Sequence, residues 1–215
     1  MTTNALLRPT TKTPKFDWGG SSDLAISYGA SAETRQLINQ VNAVESSRST
    51  ADAATPTAVL PGSTKKSTEE MLFDSLVEAK VYTSLVAMRM DKEWRKKLYR
   101  QLDSLLDIDE WDGEDEPLHK ESFATFLKSM FLIMPKRRPG LGLSHGGNLI
   151  GMWTEPDSLL TMEFLAGDLV RLVLSRNQNG IRERAALDTE VVRLLDVLKP
   201  YSPETWFNNG DNKHS

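Results

Sequence analysis

The chain has 215 residues, of which 39% are hydrophobic and 26% charged, proportions typical of a globular protein rather than of a wholly disordered one. Its net charge of −4 provides no overall attraction to nucleic acid, so binding of that kind would require a local basic patch. The chain contains no cysteine, which excludes disulfides, thiolate catalysis, iron–sulfur clusters and cysteine-ligated zinc.

Residues 1–66 are rich in Thr, Ser, Ala and Pro and carry few large apolar side chains, a composition that predicts a low-complexity, largely disordered arm. Within it, apolar residues at helical spacing after Ser31 predict a short helix over residues 31–44. Trp18, among glycines and serines, is a candidate anchor on a partner. Neither a signal peptide nor an apolar run of roughly 18 residues is recognisable, so we expect a cytoplasmic, non-membrane protein.

A series of helices is predicted from residue 67 onwards. The motif STEE supplies a capping serine or threonine and two glutamates near the positive end of a helix dipole. One apolar stripe runs from Leu72 to Met90 and a second from Trp94 to Leu106, which predicts one bent helix or two closely packed helices. A further amphipathic helix ends before Pro135, because proline disfavours helical geometry in the residue that precedes it.

After Pro135 the apolar residues no longer follow helical spacing. Short apolar segments alternate with turn pairs at Gly146–Gly147, Pro156–Asp157 and Gly167–Asp168, which predicts an antiparallel meander of three or four strands. Apolar residues from Leu187 to Leu198 predict a closing helix over residues of about 185–199. We therefore expect an α+β fold, with a helical layer on the meander. A single domain would occupy residues 67–200, followed by a polar tail over residues 201–215.

The stretch LLDIDEWDGEDEP, residues 105–117, contains seven carboxylates around one tryptophan and one glycine. Counted from Asp107, Gly113 is at the seventh position, whereas an EF-hand calcium loop requires glycine at the sixth. The stretch favours a turn between two helices, in which Gly113 permits a positive φ. The alternative is an acidic recognition surface formed by Trp111, Asp112 and Glu114, which we would favour if Trp111 were exposed.

Two further groups of residues are candidates for chemistry. Asp107, Asp109, Asp112 and His119 are weak candidates for a divalent-metal site of a hydrolase or nuclease, although no phosphate-binding lysine or glycine-rich loop lies nearby. The basic run Lys136, Arg137 and Arg138 could contact a phosphate, a nucleic acid or an acidic partner, or simply solvate a connection between a helix and a strand.

The acidic Trp111-Asp112-Gly113 turn precedes an amphipathic helix, a proline-bounded basic link and a meander containing NLIGMWT and LLTMEFLA. In these features the chain resembles a loose set of uncharacterised bacterial proteins that share an acidic W-D-G turn, a short helix and a small sheet. The resemblance covers residues of about 100–175. It implies that the turn and the meander belong to one folded unit, and it implies no activity.

We expect a non-catalytic protein-interaction module without a cofactor, such as an accessory, antitoxin-like or immunity-like partner encoded in a bacterial operon. The pattern behind this expectation is a long arm with sparse anchors combined with the lack of a catalytic motif. The candidate partner-binding residues are Trp18, Trp111, Asp112, Glu114, Lys136, Arg137 and Arg138. Metal-dependent hydrolysis by the acidic turn and nucleic-acid binding by residues 136–138 are the alternatives, and the sequence does not determine the oligomeric state.

Overall fold

The structure is a computed structural model that describes residues 36, 39–43, 66–111, 115–178 and 180–208. Helices pack against one antiparallel sheet, so the predicted α+β class is confirmed. The sheet has five strands in the order β1-β2-β3-β4-β5, and the prediction of three or four strands was therefore wrong. Of the N-terminal arm, residues 36, 39–43 and 66 are described. Residues 36 and 39–43 are helical and lie within the helix predicted over residues 31–44, while Trp18 lies outside the described residues.

The first two helices are separate elements. Helix α1, Thr68–Leu85, begins with a capping box in which the Ser67 hydroxyl accepts from the Glu70 amide at 3.2 Å and the Glu70 carboxylate accepts from the Ser67 amide at 3.0 Å. A 3-10 turn, Ala87–Arg89, follows. Helix α2, Lys92–Leu105, then begins at a new cap, Asp91, so the second of the two alternatives, a helix pair, is the observed one.

Helix α3, Lys120–Ile133, is the centre of the fold. All ten residues from Ser122 to Phe131 are buried, because α3 contacts α1 on one side and strands β2 and β3 on the other. A helix buried on all sides needs apolar or internally bonded side chains around its whole circumference. Phe126 of α3 meets Phe164 of the sheet edge to face, with ring centroids 5.3 Å apart.

The strands are β1, Gly140–Leu143; β2, Leu149–Glu155; β3, Ser158–Phe164; β4, Leu169–Gln178; and β5, Ile181–Glu190. Each pairs antiparallel with the next one along the chain. Turns connect the first four strands at the three dipeptides expected from the sequence, with positive φ at Gly147, Gly167 and Asp168. The inner face, which carries Trp153, Leu160 and Leu172, packs on the helices.

The C-terminal part of the domain differs from the prediction. Residues 181–190 form β5, and after a 3-10 turn only Leu194–Leu198 form a helix, α4. The prediction of a helix that begins near residue 185 was therefore wrong. A last short helix, α5, covers Glu204–Phe207. Its Trp206 is 1% exposed, and its Phe207 lies 5.3 Å from Trp153 between ring centroids. The packed domain therefore extends beyond residue 200, into the segment predicted to be tail. None of the helices described has the length and apolar character needed to cross a lipid bilayer.

Candidate interaction surface

The acidic stretch forms a structural turn wherever it is described. Asp107 accepts a hydrogen bond from the Asp109 amide at 3.1 Å and so caps a 3-10 turn, Ile108–Glu110. Trp111 is half-buried and packs against the hydrophobic core, which fits the turn interpretation better than an exposed recognition aromatic. Asp112 and Glu114 lie outside the described residues, and their predicted role in partner binding stays a prediction.

The C-terminal end of this turn is attached to the β1–β2 hairpin. The Glu116 amide donates to the His145 carbonyl at 3.0 Å, and the His119 amide donates to the Gly147 carbonyl at 2.9 Å. The side chains pair as well: Asp115 contacts His145 Nδ1, and Glu116 lies 3.2 Å from His119 Nε2. Both histidines are thus placed by contacts within the chain.

The metal candidates that the structure describes are not assembled into a site. In the part of the chain that is described, no three His, Asp or Glu side chains lie close enough together to hold a metal ion. Asp107 caps its own turn, Asp109 is exposed, and His119 faces Glu116. Asp112, the remaining candidate, lies outside the described residues.

Arg138 of the basic run is used in packing. Its guanidinium lies over the indole ring of Trp94, 4.1 Å from the ring centroid, a distance typical of a cation–π contact. Burial lowers the pKa of Arg138, and the negative charge of Asp91 opposes that shift. The contact joins the start of the sheet to α2 instead of presenting a free cation to a ligand.

Arg137 is held in the same way. Its guanidinium contacts the Glu155 carboxylate and donates to the Thr154 carbonyl at 2.6 Å, and its own carbonyl accepts from the Trp153 indole at 3.0 Å. Of the three basic residues, Lys136 is the exposed one. The run therefore fastens the connection between α3 and β1 to the sheet.

The outer face of the sheet, opposite the helices, exposes apolar side chains on three adjacent strands. Met152 is 39% exposed, Leu159 39% and Val173 47%. The register places Met152 opposite Thr161, and Thr161 opposite Val173, so these side chains are neighbours across the sheet. We call Met152, Leu159, Thr161 and Val173 the outer patch. Apolar side chains are therefore exposed on the outer face of the sheet as well as buried on its inner face.

Charged side chains border the outer patch on one side. Arg171 bridges two strands, with its Nε 3.1 Å from the Asp188 carboxylate and its Nη1 3.3 Å from the Glu163 carboxylate. The hydrogen bond to Asp188, followed by the negative charges of both carboxylates, raises the pKa of Arg171. These ion pairs give the outer patch a rim of positive and negative side chains, and polar rims are common around protein interfaces.

A pocket of about 610 Å³ adjoins the opposite side of the patch, at the β2–β3 hairpin. Met152 and Leu159 contribute its apolar lining, and Asp157, Asn177 and Arg182 contribute polar groups. Arg182 is positioned by donating to the Ser175 hydroxyl at 3.1 Å. The patch therefore continues into a concave surface with hydrogen-bonding groups at its wall.

Helix α1 carries a second exposed apolar surface. Phe73, Val77 and Leu85 are 64%, 42% and 51% exposed and follow one another at multiples of four residues. We call these three residues the α1 stripe. It lies on a single helix, whereas the outer patch spans three strands and borders a pocket.

The outer patch was not predicted from the sequence, although a signal was present. LLTMEF and LVRLVLS place apolar residues at consecutive positions, for example Leu159 beside Leu160 and Val173 between Leu172 and Leu174. Such runs are typical of strands with two apolar faces, because alternate side chains point to opposite sides of a sheet.

Comparison of the chain with protein-family models, curated proteins and solved structures found no match.

Proposed function

We propose that the protein is a non-catalytic protein-interaction module that binds a partner protein through the outer patch. The observation that supports the proposal is the exposure of Met152, Leu159 and Val173 on adjacent strands, together with the neighbouring pocket. A partner that covers these side chains removes apolar surface from water, which contributes roughly 25 cal/mol for each Å² buried. Contiguous apolar surface with a polar rim is characteristic of protein interaction sites.

The proposed partner should match the chemistry of the outer patch and its pocket. Its contact region should be apolar, with one side chain that enters the pocket and a hydrogen-bonding group for Asn177 or Arg182. Because Arg171 is already paired with Asp188 and Glu163, the rim favours a polar surface of balanced charge. An accessory, antitoxin-like or immunity-like role in the bacterial cytoplasm, with the N-terminal arm as a further contact, belongs to the same proposal.

The proposal is tested by affinity capture from cytoplasmic extract of the source cells with the full-length tagged chain. Leu159→Lys and Val173→Lys each place a charge in the outer patch. Val77→Lys and Leu85→Lys are matched controls, because they introduce the same charge on the α1 stripe. We expect one protein to be recovered in stoichiometric amounts with the wild type and with both controls, and to be lost with both outer-patch variants.

The recovered partner is then produced separately, and its affinity for each variant is measured by calorimetry. We expect at least a tenfold weaker Kd for the outer-patch variants, with melting temperatures that remain close to the wild-type value. Equal affinity for wild type and outer-patch variants, or loss of the partner only with the α1 variants, contradicts the proposed surface. Failure to recover any stoichiometric partner contradicts the proposed function itself.

A further inference from the structure

Strand β5 forms one end of the sheet. Its ten residues pair with β4 along their full length, and within the described residues no strand pairs with its other edge. An unpaired edge offers a row of backbone donors and acceptors to another strand, and proteins commonly restrict this with charged side chains.

The backbone hydrogen bonds identify the outward residues. The Val191 amide donates to the Asp168 carbonyl at 2.9 Å, in continuation of the β4–β5 register. In an antiparallel sheet, each residue directs both its amide and its carbonyl to one neighbouring strand, and the next residue directs both to the opposite side. The odd-numbered residues of β5 therefore bond to β4. The even-numbered residues direct their backbone groups to the free edge: Arg182, Arg184, Ala186, Asp188 and Glu190.

The charges of these five residues are self-complementary. Two arginines precede Ala186 and two carboxylates follow it, at equal distances along the strand. If a second copy pairs antiparallel about a two-fold axis at Ala186, Arg184 lies opposite Asp188 of the second copy and Arg182 lies opposite Glu190 of the second copy. Each contact then occurs twice, as in any two-fold interface. Opposite charges at directly opposed positions stabilise a strand pair.

We propose that the protein forms a homodimer by antiparallel pairing of β5 with β5 of a second copy, centred on Ala186. The two sheets become one continuous sheet. Each outward residue donates one backbone hydrogen bond and accepts one, and the small Ala186 side chains meet at the axis. On the inner face, half-buried Ala185 lies opposite half-buried Leu187 of the second copy, so the apolar inner layer continues across the axis.

Other registers fit less well. If the two-fold axis is moved by one residue, to Ala185 or Leu187, one charged outward residue of each strand lies opposite Ala186 and another lies opposite a residue beyond the end of the strand. Half of the opposite-charge pairs are then lost. A slip by a single residue of one strand sends facing side chains to opposite sides of the sheet. Asp188 already accepts from Arg171 at 3.1 Å, but a carboxylate has further acceptor sites for Arg184 of the second copy. The pattern is therefore specific to one register and to an identical strand.

Analytical ultracentrifugation of the full chain tests the dimer, with Ala186→Pro as the first variant. Proline at residue 186 removes an amide that points away from β4, so it abolishes a bond of the dimer and retains the β4–β5 ladder. We expect the wild type to sediment at twice the chain mass and Ala186→Pro at the single mass, with a similar melting temperature. Ala185→Pro is the control: its lost amide faces β4, so its melting temperature should fall.

Charge exchange provides a second, independent test. An acidic variant, Arg182→Glu with Arg184→Glu, and a basic variant, Asp188→Lys with Glu190→Lys, each place like charges opposite one another and should be monomers. An equimolar mixture of the two restores every opposite-charge pair and should give a heterodimer that weakens as salt is added. A monomeric wild type, a dimer that survives Ala186→Pro, or a mixture that stays monomeric overturns the proposal.

Discussion

Lys128 of α3 and Asp168 of the β3–β4 turn form an ion pair at 2.7 Å, in which the lysine side chain is 3% exposed and the aspartate side chain 43% exposed. Asp168 has a positive φ of 59°, and its carbonyl also accepts the Val191 amide at 2.9 Å. A single turn residue thus joins the central helix, the β3–β4 connection and the end of β5. A buried ammonium requires such partners, because removing it from water is costly.

Asp168→Asn should therefore destabilise the protein. Asparagine tolerates a positive φ and has nearly the same size, so the substitution mainly removes the negative charge that faces Lys128. We expect the free energy of unfolding to fall by about 1–3 kcal/mol, as measured by urea denaturation. The control is Asp157→Asn, in the exposed β2–β3 turn, which should change it by less than about 0.5 kcal/mol. Equal effects of the two substitutions would show that the ion pair contributes nothing.

Ser122 connects α3 to the sheet through one hydroxyl. The hydroxyl donates to the Phe164 carbonyl at 2.6 Å and accepts from the Leu149 amide at 2.7 Å. Leu149 and Phe164 occupy the next position of the β2–β3 register, just beyond the last paired residues, Ile150 and Glu163. The serine of the helix therefore bridges the end of the strand ladder.

Ser122→Ala leaves two buried backbone groups unpaired, and we expect it to lower the free energy of unfolding by about 1–3 kcal/mol. Ser129→Ala is the matched control, because Ser129 is equally buried but donates at 2.8 Å to the carbonyl of Thr125 in its own helix. Thermal melts of both variants should show the larger loss for Ser122→Ala. A larger loss for Ser129→Ala would mean that the bridge to the sheet is dispensable.

The sequence predicted those parts of the fold that have a local signal. Turn pairs at Gly146–Gly147, Pro156–Asp157 and Gly167–Asp168 separate the first four strands, and the capping motif at Ser67 marks the start of α1. Strand β5 was missed although Asn179–Gly180, a dipeptide typical of hairpin turns, precedes it in the sequence and Gly180 has a positive φ of 79°. Its sequence, IRERAALDTE, is charged in its first half, and Leu187 happens to lie at helical spacing from the apolar residues after it. Pairing with β4 across this turn decides the conformation of the segment, against the helical spacing of its apolar residues.

The candidate surface was difficult to predict for a similar reason. Trp111 and the basic run are conspicuous in the sequence, but the structure uses Trp111, Arg137 and Arg138 for packing. Which of two consecutive apolar residues faces the helices depends on strand register and on the side that the helices occupy. Leu159 and Leu160 are indistinguishable by type, yet they are 39% and 0% exposed.

Gly147 lies where the backbone of the acidic turn approaches the β1–β2 hairpin. It has a φ of 70°, and a Cβ atom added there would lie 2.4 Å from the Pro117 carbonyl oxygen. Gly167 has a similar φ, 73°, but open space around it, whereas Gly146 has open space and no positive φ. Substitutions at the three glycines therefore distinguish the free-energy cost of a positive φ from the cost of steric overlap.

Alanine at each of the three positions should give graded losses of stability. We expect little change for Gly146→Ala and about 1–2 kcal/mol for Gly167→Ala, the cost of a left-handed conformation for a residue with a Cβ atom. Gly147→Ala should cost more than either, because backbone atoms must also move apart. Denaturant titrations of the three variants check this order, and equal costs at Gly147 and Gly167 would contradict the close approach.

Trp206 tests whether the C-terminal residues belong to the domain. The side chain is 1% exposed, its indole donates to the Ser158 hydroxyl at 3.1 Å, and the neighbouring Phe207 contacts the core residue Trp153. Trp206→Ala should lower the free energy of unfolding by about 3–5 kcal/mol, because it leaves a large cavity beneath the sheet. Trp206→Phe should cost less, since the ring volume is largely kept and one hydrogen bond is lost.

Leu195→Ala is the matched control for these variants, because Leu195 lies in the same C-terminal segment but is 36% exposed. The near-ultraviolet circular dichroism of each variant reports whether the aromatic contacts persist, and urea denaturation measures the loss. If Trp206→Ala were no more destabilising than Leu195→Ala, the residues after position 200 would behave as the tail predicted from the sequence. The observed burial leads us to expect the opposite result, with Trp206 among the most sensitive positions of the chain.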